Sequence, residues 1–515
     1  MRVGSPYDPD PDQGRIWAHD PWLSGSARWA GAHHLHERGY GAYGRHTLGY
    51  LPATDRRSGA IPITYDGDRH EMIVAPTRGG KGVSGVNMRL MEHPGGVIVA
   101  DGKSGELARM TARYRRDVLG QNVILIDAYD EVASDLGFTP ARINTMSAID
   151  LDGEEAFDEA MLQAASIVVP SGAADNHWDG EGEAAIAGFM LSEAELGGNL
   201  ADVRAVLNRS RDGLHAYLHR MLESPYPLVQ AAAGRLSNKE AKEFSGVLST
   251  AQRNTHFLES EKLAYSLSAN DFDPSEIGED TSIYIINPGR RFVRNRSYYR
   301  LLIGFLLQRV AALPQKPSEP VLFVLEEMAA LGRMEIIAQA FGLMAGYGLQ
   351  ILAVVQDFSQ LRDLYRDRWQ TFIANSASIQ CFGTNDMFTA EYLSKLAGTT
   401  SVETLSYESA ERRAGLFGDP HYRGASDVAS PRLLITPDEL RALPAHLQFI
   451  ALAGSYPSLA YRPAYFLDRR FRDQRGRPLY DIHPNHAHLP IPRAYDFTRA
   501  GLDLDALLGQ HLRVG

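Results

Sequence analysis

From Glu71 onward the chain alternates two hydrophobic rhythms. Met72-Ile73-Val74-Ala75 is a short apolar run, followed by a glycine-rich turn and an amphipathic stretch that Pro94 stops. Gly96-Val97-Ile98-Val99-Ala100 is a second run, with a helical pattern over 104–117, and Val123-Ile124-Leu125-Ile126 is a third. Short apolar runs alternating with helices predict a parallel sheet of βαβ units, since strands buried on both faces need no polar alternation. The rhythm breaks over 150–265, where no strand is predicted. There Phe157, Met161, Ala165 and Val168 recur at spacings of four, four and three, as one helix face does, and Ile186, Phe189 and Met190 mark the next helix. Apolar runs resume at 283–286, 321–325, 350–354, 378–381 and 449–453. The expected organisation is an irregular N-terminal arm (1–60), an α/β domain built from 61–150 and 266–470, an inserted all-α domain (151–265) and an irregular C-terminal tail (471–515). No internal repeat is visible.

Composition narrows the class. A chain of 515 residues predicts two to four domains at roughly 150 residues each. Hydrophobic residues at 44% and charged ones at 22% exclude collagen-like, disordered and coiled-coil chains. The single cysteine, Cys381, excludes an intramolecular disulfide framework and fits a reducing compartment. A formal charge of −11 argues against a protein whose whole surface coats nucleic acid, while leaving room for a local basic lining. No apolar stretch reaches the length of a spanning helix: the closest, 298–313, is interrupted by Arg300 and Arg309. Residues 1–14 lack the apolar core of a signal peptide, so a cytoplasmic location is expected.

The turn after the first run is Ala75-Pro76-Thr77-Arg78-Gly79-Gly80-Lys81-Gly82. Strand, glycine-rich loop and helix in that order form a P-loop, in which backbone N–H groups cradle phosphates and a lysine reaches the β and γ oxygens. Ala75 replaces the usual first glycine, and Gly82 replaces the usual Mg²⁺-ligating hydroxyl. The alternative is a glycine-rich turn with a surface lysine; against it stands the scarcity of lysine, 7 in the chain beside 45 arginines. Ser84 is a weak substitute for the absent hydroxyl. A second element has the form of a buried strand ending in carboxylates, Val321-Leu322-Phe323-Val324-Leu325-Glu326-Glu327. In a P-loop ATPase the first carboxylate holds Mg²⁺ and the second polarises the attacking water. Here Glu326 stands for the usual Asp. The bland reading is a core strand with two solvated glutamates.

Several motifs in order then resemble one family, the type IV coupling proteins of the TraG type, ATPases of conjugation and type IV secretion. Ser26-Ala27-Arg28-Trp29-Ala30 is similar to the family's opening motif, and Ala75 to Val83 to its P-loop, where glycine after the lysine is familiar. Asp101-Gly102-Lys103-Ser104-Gly105-Glu106-Leu107 resembles the strand-end motif that follows. Glu326-Glu327-Met328-Ala329-Ala330-Leu331-Gly332-Arg333 resembles the Walker B block, with Glu for Asp and Met-Ala for Phe-Pro. Gln356-Asp357-Phe358-Ser359-Gln360-Leu361 is similar to the motif whose glutamine senses the γ-phosphate, and Leu434-Ile435-Thr436-Pro437-Asp438-Glu439-Leu440 to the C-terminal signature.

The resemblance implies a RecA-like P-loop nucleotide-binding domain with an inserted all-α domain, a homo-hexameric ring, and ATP with Mg²⁺ as cofactors. It assigns Thr77, Arg78, Gly79, Gly80, Lys81, Gly82 and Val83 to nucleotide binding, Glu326 to the metal, and Glu327 and Gln356 to catalysis. A ring of this kind needs an arginine in trans; Arg333 and Arg432 are the candidates, with 290–300 as outsiders. Family members usually begin with two membrane-spanning helices, which this chain lacks. An anchorless branch, or a separate membrane anchor subunit that recruits the chain peripherally to the inner membrane beside the secretion-channel components, is therefore expected.

Charge bears on the cargo. Arg290, Arg291, Arg294, Arg296 and Arg300 put five arginines in 11 residues, with Phe292, Tyr298 and Tyr299 interleaved. Such a mixture suits single-stranded DNA, whose phosphates pair and whose bases stack; an arginine-rich helix start at a subunit interface is the alternative. Residues 150–202 hold 13 Asp+Glu and no Lys or Arg. That segment either attracts a relaxase or other basic effector, or is a solvated face. His33, His34 and His36, like His483, His486 and His488, lack ligands at metal spacing and read as non-metal. The expected function is a coupling ATPase that recruits DNA–protein or protein substrates. The competing one is a nucleotide-binding recruitment adaptor with weak or no hydrolysis. A DNA-segregation or packaging pump of related fold is disfavoured by the C-terminal signature.

Overall fold

The structure is a computed structural model that describes residues 25–41, 44–52, 60–170, 176–407 and 425–483. The first 24 residues of the arm, Asp175, His486, His488 and the tail beyond 483 lie outside the described residues. Among the described residues, eleven strands make one sheet: β1 (His46–Leu51), β2 (Ile61–Tyr65), β3 (His70–Val74), β4 (Val97–Asp101), β5 (Asn122–Ile126), β6 (Thr281–Ile286), β7 (Val321–Leu325), β8 (Leu349–Val355), β9 (Ser376–Cys381), β12 (Leu447–Leu452) and β13 (Ser458–Tyr461). The remaining two, β10 (Thr399–Tyr407) and β11 (Ala425–Leu433), form a separate antiparallel hairpin.

The sheet order is β2-β1-β13-β12-β9-β3-β8-β7-β4-β6-β5. From β9 to β5 every pairing is parallel, and the register puts Val74 beside both Val355 and Cys381, Leu325 beside Ala353, and Ala100 beside Leu325. The carboxyl ends of β9, β3, β8, β7 and β4 therefore stand in a row. All the apolar runs predicted as strands lie in this sheet, and β3, β4 and β7 are buried at every position. Ile73, Val97, Val99, Val324 and Val354 pack under the helices Asn87–Glu92 and Glu106–Asp117. Met72, Val74, Ile98, Phe323, Ile351 and their neighbours face the buried helix Arg296–Ala311 and merge with the core of the inserted helices.

Between β5 and β6 the described chain holds no strand, and the helices Ala156–Ile167 to Glu261–Ser266 fill that interval. Two expectations are corrected. The segment read as an irregular arm contains the helix Ala32–Glu37 and strand β1, which extends the sheet antiparallel through β13. The start of the segment read as an irregular tail is also ordered: Phe471 and Tyr480 are buried against Met88, Met91, Met110 and Tyr114. The opening motif pairs with the hairpin, Ala27 N–H donating to the Thr399 carbonyl at 3.0 Å.

Candidate nucleotide-binding site

Three adjacent parallel strands, β3, β8 and β7, deliver the P-loop, Gln356 and the Glu326–Glu327 pair to one edge of the sheet. Ligand sites of open α/β sheets lie at such strand ends. The loop is tight. Gly79 N–H donates to the Pro76 carbonyl at 2.9 Å, Arg78 and Gly80 have φ of 61° and 81°, and a Cβ on Gly79 would stand 2.8 Å from the Pro76 oxygen. The helix begins with a π-wound turn, Gly82–Val86, before Asn87–Glu92.

Lys81 is buried and its ammonium meets Glu327 Oε1. Gln356 Nε2 donates to Glu327 Oε2 at 3.1 Å. Glu327 itself has φ 56°, a left-handed conformation that breaks the strand and turns its side chain out of the β7 alternation. Burial works against its charge, but the Lys81 hydrogen bond and charge, the Gln356 amide and Lys103 outweigh it and hold the carboxyl below its usual range. Glu326 is different. Burial raises its pKa despite Lys103, whose Nζ lies 2.7 Å from Oε1, and its buried Oε2 has no hydrogen-bond partner. Lys103 also comes within 3.4 Å of Glu327 Oε1. At the end of β4, Asp101 accepts N–H bonds from Leu107 and Ala108 at 2.8 and 3.0 Å, capping Glu106–Asp117. Burial, then the Glu326 charge, push its carboxyl up to about 7.

The structure thus brings Lys81, Glu326, Glu327 and Gln356 together, with Gly79, Gly80 and Gly82 on the loop. Thr77 and Arg78 are exposed on the turn and Val83 is half-buried. These residues fit a nucleotide carrying a divalent cation: a phosphate loop, a buried lysine, and a buried carboxylate oxygen left without a partner. A Cβ on Gly82 would meet nothing within 4 Å, so the absent hydroxyl leaves open space there. Ser84, weighed as a substitute for it, is buried with its Oγ unpartnered.

Arg333 and Arg432 do not join this cluster within the chain. Arg333 pairs with Glu335 at 3.1 Å and Arg432 with Glu439 at 2.5 Å. The arginine-aromatic segment is corrected in part. Tyr298 and Tyr299 are core residues, and Arg300 is buried on the carbonyls of Ser166, Val168, Leu331 and Arg333, so none of the three faces a nucleic acid. Arg290, Arg291 and Arg294 remain exposed, the first paired with Glu131 at 3.3 Å and the second over the Tyr129 ring. Some acids of the segment 150–202 have cation neighbours within the chain: Glu159 pairs with Arg309 at 2.5 Å, Glu181 with Lys239 at 2.9 Å, and Asp179 lies 3.6 Å from Arg253. The exposed acids among the described residues of the segment gather at its start, at Asp150, Asp152, Glu154, Glu155 and Asp158. One residue of the site went unassigned in the sequence, Lys103. It stands in the strand-end motif Asp101–Leu107, and the scarcity of lysine, 7 in the chain, is the signal that could have singled it out.

The family described as Type IV secretory system Conjugative DNA transfer matches residues 54–485. The chain belongs to this family. Among its relatives, the conjugal transfer protein TraG of Escherichia coli is 25% identical, over 89% of this chain and 79% of that protein. VirD4 of Agrobacterium fabrum is 27% identical, over 87% of this chain and 66% of that protein. The fold matches the conjugative coupling protein TrwBΔN70 with a TM-score of 0.63 at 17% identity, covering 85% of this chain and 93% of that one. TrwB in complex with ADP and Mg²⁺ gives a TM-score of 0.61 at 17% identity, covering 90% and 97%. Among the described residues, no helix is long and apolar enough to cross a membrane.

Proposed function

We propose that this chain is a type IV coupling ATPase: it binds ATP with Mg²⁺, hydrolyses it, and delivers DNA–protein or protein substrates to a secretion channel. One observation carries the reading. Lys81, Glu327 and Gln356, each from a different strand end, converge on one another, as a site that must sense and cleave a terminal phosphate requires. Family membership and the names of the relatives support the transfer role. TrwB, of like fold, has been solved with an ATP analogue and with ADP and Mg²⁺, which supports the cofactors.

In this reading the loop N–H groups that its own turn leaves free receive the phosphates, Lys81 neutralises their charge, and Glu326 would hold the metal through its free oxygen. Bound Mg²⁺ would supply electrostatic stabilisation of the phosphoryl oxygens. Glu327, kept ionised by its lysines, orients and polarises the attacking water, and Gln356 couples that carboxylate to the terminal phosphate. Arg333 or Arg432 completes the site of a neighbouring subunit in a homo-hexamer. The RecA-like unit comprises 61–150 and 266–470 together with strand β1 and the ordered residues that follow 470, and 151–265 is the all-α insertion. Secretion-channel components, a separate membrane anchor subunit, a relaxase or basic effector and single-stranded DNA are the proposed partners, with peripheral recruitment to the inner membrane. A phosphate-release assay with and without single-stranded DNA tests the proposal. Mg²⁺-dependent release that DNA stimulates supports the motor; tight ATP binding without release at any DNA concentration favours the recruitment adaptor, a reading to which the two lysines on Glu327 lend weight.

A further inference from the structure

We infer that Arg462 is a further cation of the phosphate site, a positioning residue that holds the P-loop in its binding shape and whose counter-charge is the nucleotide's phosphates. The inference rests on the nucleotide reading above. Arg462 follows β13 and is only 4% exposed. Its Nη1 donates to the Gly79 carbonyl at 2.8 Å, its Nε to the Leu447 carbonyl at 2.7 Å, and its Nη2 to the Phe382 carbonyl. The guanidinium lies 4.6 Å from the centroid of the Phe382 ring. One side chain thus joins the phosphate loop to the end of β9 and the start of β12.

Two consequences follow from the chemistry. In a trans peptide the carbonyl of one residue and the N–H of the next point in opposite directions. Fixing the Gly79 carbonyl on Arg462 therefore turns the Gly80 N–H away from Arg462. That N–H has no partner among the described residues and belongs to a residue at φ 81°. It is a free donor held in place, as an anion cradle needs. The second consequence concerns charge. All of Arg462's acceptors are neutral carbonyls, and no carboxylate among the described residues pairs with it. A buried cation without an anion is costly. Arg115 and Arg300 are also buried on neutral acceptors, but theirs lie in helices, loops and, for Arg115, strand β6, all outside the P-loop. Only Arg462 among these three puts its charge directly behind a phosphate-loop glycine.

The test is calorimetric binding of adenosine, ADP and a non-hydrolysable ATP analogue, with Mg²⁺, to wild type, Arg462→Gln and Arg462→Lys, with Lys81→Ala as the control. Arg462→Gln is expected to weaken the triphosphate roughly tenfold, well below a direct charge–charge contact because the charge acts through the loop, the diphosphate less and adenosine not at all. Arg462→Lys should recover part of the phosphate-dependent loss. Equal losses for all three ligands, or none, overturn the inference and leave the nucleotide site standing. A wild-type chain that binds none of them overturns both. If neither variant folds, hydrogen exchange on the wild type decides: nucleotide should slow exchange at 447–462 together with the P-loop. Protection of the P-loop alone overturns the inference.

Discussion

Replacing Arg300 alone, and Arg290, Arg291 and Arg294 together, separates two roles that look alike in sequence. The Arg300 guanidinium donates to Ser166 at 3.0 Å, Val168 at 2.9 Å, Leu331 at 3.1 Å and Arg333 at 2.7 Å. It ties the end of Ala156–Ile167 to the loop that follows the carboxylate pair. Arg300→Met orphans the buried carbonyls of Ser166, Val168 and Leu331 at about 1 kcal/mol or more each, a loss of roughly 3–5 kcal/mol. Urea unfolding should show that loss, while the salt dependence of single-stranded DNA binding stays as in wild type for the folded fraction. The triple alanine variant should do the reverse. Each phosphate contact removed lowers the slope of log K against log salt by about 0.7 on single strands, so three lower it by about 2. Stability should change by less than about 1 kcal/mol, because these side chains are exposed. An Arg300→Met chain of wild-type stability would refute the structural role. A triple variant with an unchanged slope and a lost oligomer would make the exposed arginines a subunit contact.

Three further outcomes are expected. Glu327→Gln should keep nucleotide affinity in calorimetry but lose phosphate release, since an amide cannot polarise water; turnover at the wild-type rate would remove Glu327 from the mechanism. Gly82→Ser should retain or raise Mg²⁺-dependent turnover, because a Cβ there meets nothing within 4 Å; lost nucleotide binding in that variant would mean the space is needed by the phosphates. Burial holds the His70 imidazole down at about 4, its nitrogens meeting the Ala340 carbonyl and the Ile351 N–H. The unfolded chain therefore takes up a proton that the folded chain does not between pH 6.5 and 4, and roughly 3 kcal/mol of stability is lost as pH falls through that window. His70→Gln should flatten this acid limb in a pH series of urea midpoints, and an unaltered limb would reassign it to other groups.

The parallel half of the sheet was legible because its strands are buried on both faces and so read as unbroken apolar runs. The antiparallel wing was not. Strand β1 is fully buried yet carries His46, Thr47 and Gly49, polar or small residues that look like loop until their partners on other elements are known. The same blindness explains the arginines and the acids. Tyr298, Tyr299 and Arg300 lie in the buried helix Arg296–Ala311 and Arg290 and Arg291 on the exposed turn before it, a difference that a local residue pattern does not carry. Glu159 and Glu181 find their cations 150 and 58 positions away in the chain, so a local charge count reports them as bare. Motif order located Lys81, Glu326, Glu327 and Gln356, whose spacing along the chain is set by the strands that carry them. Arg462 had no local pattern, since its role is defined by three carbonyls from three distant segments.

The wing that carries Arg462 is set against the P-loop strand by a second buried polar system. Glu71, in β3, accepts from Arg89 of the P-loop helix at 2.9 Å, contacts His46 of β1 at 2.5 Å, and accepts from Ser378 of β9 at 3.1 Å. Arg89 continues to Gln380 at 2.6 Å, and Gln380 to Gln448 of β12 at 2.9 Å. Burial alone would push the Glu71 carboxyl up, but Arg89 and then His46 outweigh it and hold it well below the usual carboxylate range. Such a cluster gains little net stability, because desolvation cancels most of the attraction. What it supplies is registry. A one-residue slip of β3 against β9 would send Glu71 to the opposite face of the sheet, away from Arg89, His46 and Ser378 together, and strand a charge in an apolar layer. The same slip would carry Gly79 away from Arg462. The polar network therefore penalises the displacements that would separate the chain's last strands from its phosphate loop.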